Sequence, residues 1–239
     1  MTSTPDPRRT GRLTAIAGLT TIAMFLAEIA TWGNPQYTDP ASRLRDLFAV
    51  HHVQASVSLT LAAFSIIPLL VFTAGLTTLT RRDGRDGTWS TVLTAAAAAF
   101  TAAQITFAAL SGALVAAAPT ATNHELMLLL GPLTYLDGAR FMPFAVMTAA
   151  AALLVLRTAP FRRWIGLTGL ASAACNLIGQ LSLLDFTGTS PISDLGPASQ
   201  LGLLLFIVWT IAIAVTLLKT KVPTPAAAPE TAAIPIGSR

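Results

Sequence analysis

Two acids and an arginine stand in stretches of this chain that are otherwise hydrocarbon. Glu28 lies inside the run TTIAMFLAEIATWGNP (residues 20–35), one helical turn before Trp32, Gly33 and Pro35 bring that run to a stop. Asp137 and Arg140, three residues apart, open a later apolar run. A carboxyl group is expensive to keep among apolar side chains, so an intramembrane acid marks a functional site by default. The chemistry open to it is proton transfer, with Glu28 the expected donor and Asp137 the partner acid or base. Phe25, Trp32 and Tyr135, with Phe141 and Phe144, are the aromatic faces expected to attract a cation formed by that proton. His52, Gln104, Arg140, Asn176 and Gln180 complete the expected substrate-binding set. Each residue also has a structural reading. Glu28 can pair with Arg140 or a histidine, Asp137 can bridge Arg140 at i, i+3, and Asn176 and Gln180 can be interhelical hydrogen-bond glue. His51 and His52 are adjacent, so at most one of them faces the same side of a helix as the acids.

The elements that must position these groups are set by solvent. Of 239 residues, 53% are hydrophobic and 11% charged, against about 25% charged in a soluble domain. The mean hydropathy is +0.65. A span needs about 20 apolar residues, and six runs qualify: 13–32, 55–79, 89–117, 138–156, 164–185 and 200–218. The expected fold is therefore all-α, a polytopic membrane bundle of six transmembrane helices (residues 13–219). A tail precedes it over 1–12, and a Pro/Ala-rich tail over 220–239 reads as disordered. Of the 15 basic residues, 12 fall on one side of this arrangement, leaving Arg43, Arg45 and Arg140 for the other. The positive-inside rule then puts both termini in the cytoplasm and the protein in the cell membrane. Two short outward-side helices are expected. One starts at Asp39 and Pro40, as N-cap and first helical residue. The other starts at Thr122 with Glu125 completing a capping box, which is the only role expected of Glu125.

Polar stripes locate the interior. Thr14, Gly18, Thr21 and Glu28 repeat along span one; His52, Ser56 and Thr60 along span two; Thr101, Gln104 and Ser111 along span three; Ser172, Asn176 and Gln180 along span five. Polar groups in lipid must find partners, so these stripes are expected to meet in an outward-facing pocket with an apolar floor. The single cysteine, Cys175, excludes an intrachain disulfide and a thiolate metal cluster. HExxH, GxSxG, a phosphate-binding Gly-rich loop and CxxC do not occur. No cofactor or metal is expected. A site built from Glu28, Asp137 and a histidine has no diagnostic spacing. The pI near 10 comes from basic residues at span ends, so no nucleic-acid partner is expected.

The stretches FRRWIGLTGLASAACNLIG (161–179) and LGLLLFIVWTIAIAVTLLK (201–219) resemble the last two spans of small six-helix integral membrane proteins common in actinobacteria, families of unknown function. The resemblance implies fold and topology and transfers no catalytic residue. The expected partners are the lipid bilayer and a hydrophobic small molecule, with a homo-oligomer compatible with both. The expected function is acid–base catalysis on a lipid-like substrate, such as isoprenoid isomerisation or terpene cyclisation, by analogy of architecture with small integral-membrane terpene cyclases. The alternative is a small transporter, export accessory or membrane assembly subunit. Against a self-sufficient transporter stand the short cytoplasmic loops, the apolar inner half and the absence of an inverted repeat.

Overall fold

The computed structural model describes residues 7–32, 43, 45, 48, 50–80, 87–158, 161–181 and 196–219. Every regular element among them is an α-helix: α1 (Pro7–Trp32), α2 (His52–Phe64), α3 (Ile66–Thr80), α4 (Gly87–Ala117), α5 (Asn123–Ala139), α6 (Phe141–Arg157), α7 (Arg163–Gln180) and α8 (Gly196–Lys219). Two pairs are nearly continuous, broken only at Ser65 and at Arg140, so the eight helices make six rods.

Both breaks have the same cause. A proline in a helix lacks an N–H and its ring presses on the carbonyl four residues back. Pro68 therefore disturbs the carbonyl of Phe64, and Pro143 that of Ala139; each chain bends at the following residue. At Ser65 the side-chain Oγ donates to the Ala62 carbonyl at 2.8 Å, inside the preceding turn. At Arg140 the backbone stays in the helical region (φ −61°, ψ −23°), which turns α5 into α6 with no intervening loop.

Five stretches are long and apolar enough to cross a membrane: Arg8–Thr31, His52–Thr80, Gly87–Ala117, Asn123–Arg157 and Pro197–Lys219. They coincide with five of the six expected spans. The fourth starts earlier than residue 138, because the expected outward helix at Thr122 runs 17 residues straight into it. The rod expected over 164–185 is helical over the 18 residues from Arg163 to Gln180 but is not apolar enough to count among the five. It carries Asn176, Gln180 and three glycines, and residues 182–185 lie outside the described part. The capping box is present: Thr122 Oγ1 accepts from the Glu125 amide at 3.3 Å, and the Glu125 carboxylate accepts from the Thr122 amide at 2.7 Å. Arg43, Arg45, Phe48 and Val50 are helical, as expected of the other outward helix, whose expected start at Asp39 and Pro40 lies outside the described residues. So do the tail over 220–239 and residues 1–6; residues 7–12 of the expected N-terminal tail already belong to α1.

The six rods close into a ring in chain order. Each packs against its sequence neighbours, and α8 returns to α1. Small residues let the seams close. A Cβ on Gly75 would run into Thr14 of α1, and one on Gly202 would lie 2.6 Å from Asn176 Nδ2 and 2.9 Å from its backbone nitrogen. The interior is crossed by a chain of aromatic rings: Phe72 on α3, Trp209 and Phe206 on α8, Phe144 on α6, and Phe100 on α4. Successive centroids lie 6.1, 5.7, 4.7 and 5.3 Å apart, within the range of favourable ring pairs. A second, smaller core forms under α5 from Phe48, Phe107, Leu114, Leu126, Leu130 and Leu133.

Without a hydrophobic drive between helices in lipid, such seams depend on close packing. Gly202→Ala is expected to lower stability by about 1–3 kcal/mol, the usual cost of overpacking. Gly112, with nothing within 4 Å of its would-be Cβ, provides the contrast. Gly112→Ala is expected to be neutral or to stabilise by up to about 1 kcal/mol. Melting midpoints of both variants in one detergent check the pair.

Candidate functional site

Arg140 is where the two cores meet. Pro143 breaks the rod three residues earlier and leaves Arg140 at the joint, capping the C-terminus of α5 and the N-terminus of α6. The guanidinium carbon lies over the ring of Phe107 of the smaller core, 3.9 Å from its centroid, and 5.4 Å from that of Phe141. Its Nη2 pairs with Asp137 Oδ1 at 2.6 Å, one turn back on α5. Its Nη1 donates to Gln104 Oε1 at 2.5 Å, reaching α4. The same Nη1 lies 3.9 Å from Glu28 Oε1 on α1. Three separate rods are thus tied to one cation.

The two carboxylates are not equivalent. Asp137 is in close ion-pair contact with Arg140, its Oδ1 taking no hydrogen bond, and its side chain is 43% exposed. Glu28 is 14% exposed, and 3.9 Å is an electrostatic separation, too long for a hydrogen bond. The hydrogen bond from Nη1 goes to Gln104. Glu28 is therefore the less exposed acid, held near a cation but left without a hydrogen bond from it. Its backbone is firmly placed, since the Glu28 carbonyl accepts from Ser58 Oγ of α2 at 3.1 Å.

Beside Glu28 lies a cavity of about 60 Å³, lined by Phe25, Glu28 and Ile29 of α1, Phe100 and Gln104 of α4, Arg140, Phe141 and Phe144 at the joint, and Leu203 of α8. Periodicity explains the set: Phe25, Glu28 and Ile29 share one face of α1, as Phe100 and Gln104 share one of α4. The floor is apolar as expected, because Phe100 and Phe144 belong to the aromatic chain. Ile29 on the wall is 55% exposed, so one side of the cavity reaches the outer flank of the bundle.

Of the expected site residues, the structure brings Glu28, Phe25, Gln104, Arg140, Phe141 and Phe144 to the cavity, with Asp137 behind Arg140. It does not bring His52, Tyr135, Asn176 or Gln180 there. His52 is exposed and lines a separate groove with Phe48, Ser56 and Val115; the stripe His52, Ser56 and Thr60 faces outward along its whole length. That correction follows from the bundle's geometry: α2 faces its neighbours with Ala55, Ser58 and Ala62, a register offset from the polar one. Tyr135 is 47% exposed and does not line the cavity. Asn176 and Gln180 are buried in the α7–α8 seam. There Asn176 Nδ2 donates to the Ser172 carbonyl at 2.9 Å, Ser172 Oγ to the Gly202 carbonyl at 2.6 Å, and Gln180 Nε2 to Ser199 Oγ at 3.3 Å. Both serve the seam, Gln180 by a hydrogen bond across it and Asn176 by packing against Gly202, its own hydrogen bond staying within α7. The side chain of Trp32 lies outside the described residues. Sequence reasoning missed Phe107, Phe100 and Ser58. The first two were accessible by stepping three and four residues from Gln104. No group of three His, Cys, Asp or Glu side chains suited to a metal occurs among the described residues.

Comparison with protein families, with curated proteins and with solved structures finds no match to the chain, and the resemblance of its last two spans gains no support from it.

Removing one partner from a buried ion pair strands the other charges. Arg140→Gln is expected to destabilise by on the order of 3 kcal/mol. Glu28→Gln in that background is expected to restore part of the loss, as one of the two stranded acids becomes neutral. Thermal unfolding of the two single variants and the double variant checks this. Equal loss in the single and double variants would leave Glu28 uncoupled from Arg140.

Proposed function

We propose that this chain is a multi-pass membrane protein, with both termini cytoplasmic, that performs acid–base chemistry on the end group of a lipid-like molecule. What carries the reading is the placement of Glu28: on the wall of an aromatic-lined cavity, 3.9 Å from Arg140, whose nearer partners are Asp137 and Gln104. The division of labour follows. Asp137 is a positioning residue that balances Arg140. Glu28 gives a proton to the occupant, and the carboxylate left behind faces the guanidinium. Phe25, Phe100 and Phe144 offer their ring faces to the cation produced. Return of a proton from the neighbouring carbon to Glu28 completes an isomerisation, with one double bond moved and no atom gained or lost.

Volume favours one of the two reactions first considered. An apolar cavity of about 150 Å³ holds benzene, so about 60 Å³ takes a smaller group. The cavity admits one end of a chain whose remainder stays in the bilayer beyond Ile29. Moving a double bond at a chain end fits that space; folding a whole isoprenoid for cyclisation does not.

General acid catalysis contributes about 10²–10⁴-fold. Glu28→Gln is expected to lower turnover by at least about 100-fold, and His52→Ala and Tyr135→Phe to leave it unchanged. Untargeted mass spectrometry of the native host carrying Glu28→Gln, with cells and medium measured separately, reads the outcome. A compound replaced by a precursor of identical mass is the expected result. The same compound redistributed between cells and medium would mean transport and overturn the reading.

A further inference from the structure

At the opposite end of the bundle from Arg140, α7 and α8 leave an open groove of about 660 Å³ between them. Its walls are apolar: Val208, Ile211 and Val215 of α8 are each more than a third exposed along it. From Val208 to Lys219 the groove follows about 16 Å of helix, enough for most of an acyl chain. One end is different in kind. Arg162 and Trp164 at the start of α7 and Lys219 at the end of α8 line it together. Trp164 is 49% exposed, placed as an interfacial ring would be. No acidic residue occurs in 138–181 or 196–219, the described sequence that builds this end, while Arg163 adds to its positive charge.

An apolar channel about one acyl chain long, ending in two cations and an indole, matches a single class of molecule. We propose that this groove is a binding site for an anionic glycerophospholipid of the cytoplasmic leaflet. One acyl chain lies along Val208, Ile211 and Val215, and the phosphate is held between Arg162 and Lys219. The groove is separate from the Glu28 cavity, and the proposal stands whatever reaction that cavity carries out. It also gives α7 a partner. This rod alone of the six is not apolar enough to count as a span by itself, and a bound lipid would cover one of its flanks.

The test is native mass spectrometry of the full chain released from micelles containing equal amounts of phosphatidylglycerol and phosphatidylcholine. Each basic residue near such a headgroup is worth roughly a factor of five. The wild-type chain should therefore retain phosphatidylglycerol about 30-fold more than phosphatidylcholine. Arg162→Gln with Lys219→Gln should abolish the preference. Ile211→Trp, which fills the channel and keeps both charges, should reduce retention of either lipid. Equal retention by the wild type, or a preference that survives the double charge variant, overturns the proposal. So does displacement of the lipid by inorganic phosphate alone, which would make this an anion site without a lipid. A lipid-free dimer would mean that a second copy fills the groove, with the same consequence.

Discussion

The guanidinium of Arg140 is the point on which one half of this bundle depends. A cation inside an apolar ring of helices is tolerable only if its charge is met locally. Here the cost is offset by four different contacts: the Asp137 carboxylate, the Gln104 amide oxygen, the more distant Glu28 carboxylate and the face of Phe107. Because those partners come from α1, α4 and α5, satisfying one side chain also fixes how three rods meet. The break that leaves Arg140 at the joint comes from Pro143, so a backbone constraint and an electrostatic one act at the same residue.

The other half of the bundle is held differently. Along α7 and α8 there is no buried ion pair among the described residues. Close packing takes its place, with Gly202 against Asn176 and Gly179 against Ser199, and hydroxyls and amides donating across or along the seam. Between the two halves run the edge-on and tilted rings of Phe72, Trp209, Phe206, Phe144 and Phe100. They serve both, as the bundle's core and as the floor of the Glu28 cavity. A polar site above an aromatic floor keeps water and charge at one end while the remaining length stays apolar, which is what a membrane-embedded acid requires to act on a hydrophobic group.

Much of this was legible in the residues. Composition and run length are strong signals in lipid, since only helices satisfy the backbone there, and five of the six expected spans coincide with long apolar helices. The capping box at Thr122 was readable because it is local. Glu28, Gln104 and Arg140 stood out because polar groups in apolar runs are few, and their small number made their meeting foreseeable. The misreadings have physical causes too. His52, Ser56 and Thr60 form a regular stripe, but a stripe shows a shared face without showing which way it points. Asn176 and Gln180 looked like ligands and serve as glue, because two helices in close contact use the same side chains a pocket would. The two proline breaks each depend on a single residue and are invisible to periodicity.

The central claim is that Glu28 remains free to exchange a proton beside a cation already committed to Asp137 and Gln104. Infrared difference spectroscopy of the purified protein in lipid, recorded across a pH step, addresses that directly, with Glu28→Gln assigning the band. A carboxylic C=O band that appears or disappears with pH in the wild type and is absent from Glu28→Gln is the predicted result. A spectrum in which Glu28 stays an unchanging carboxylate would contradict it, leaving the acid as a fixed counter-ion of Arg140.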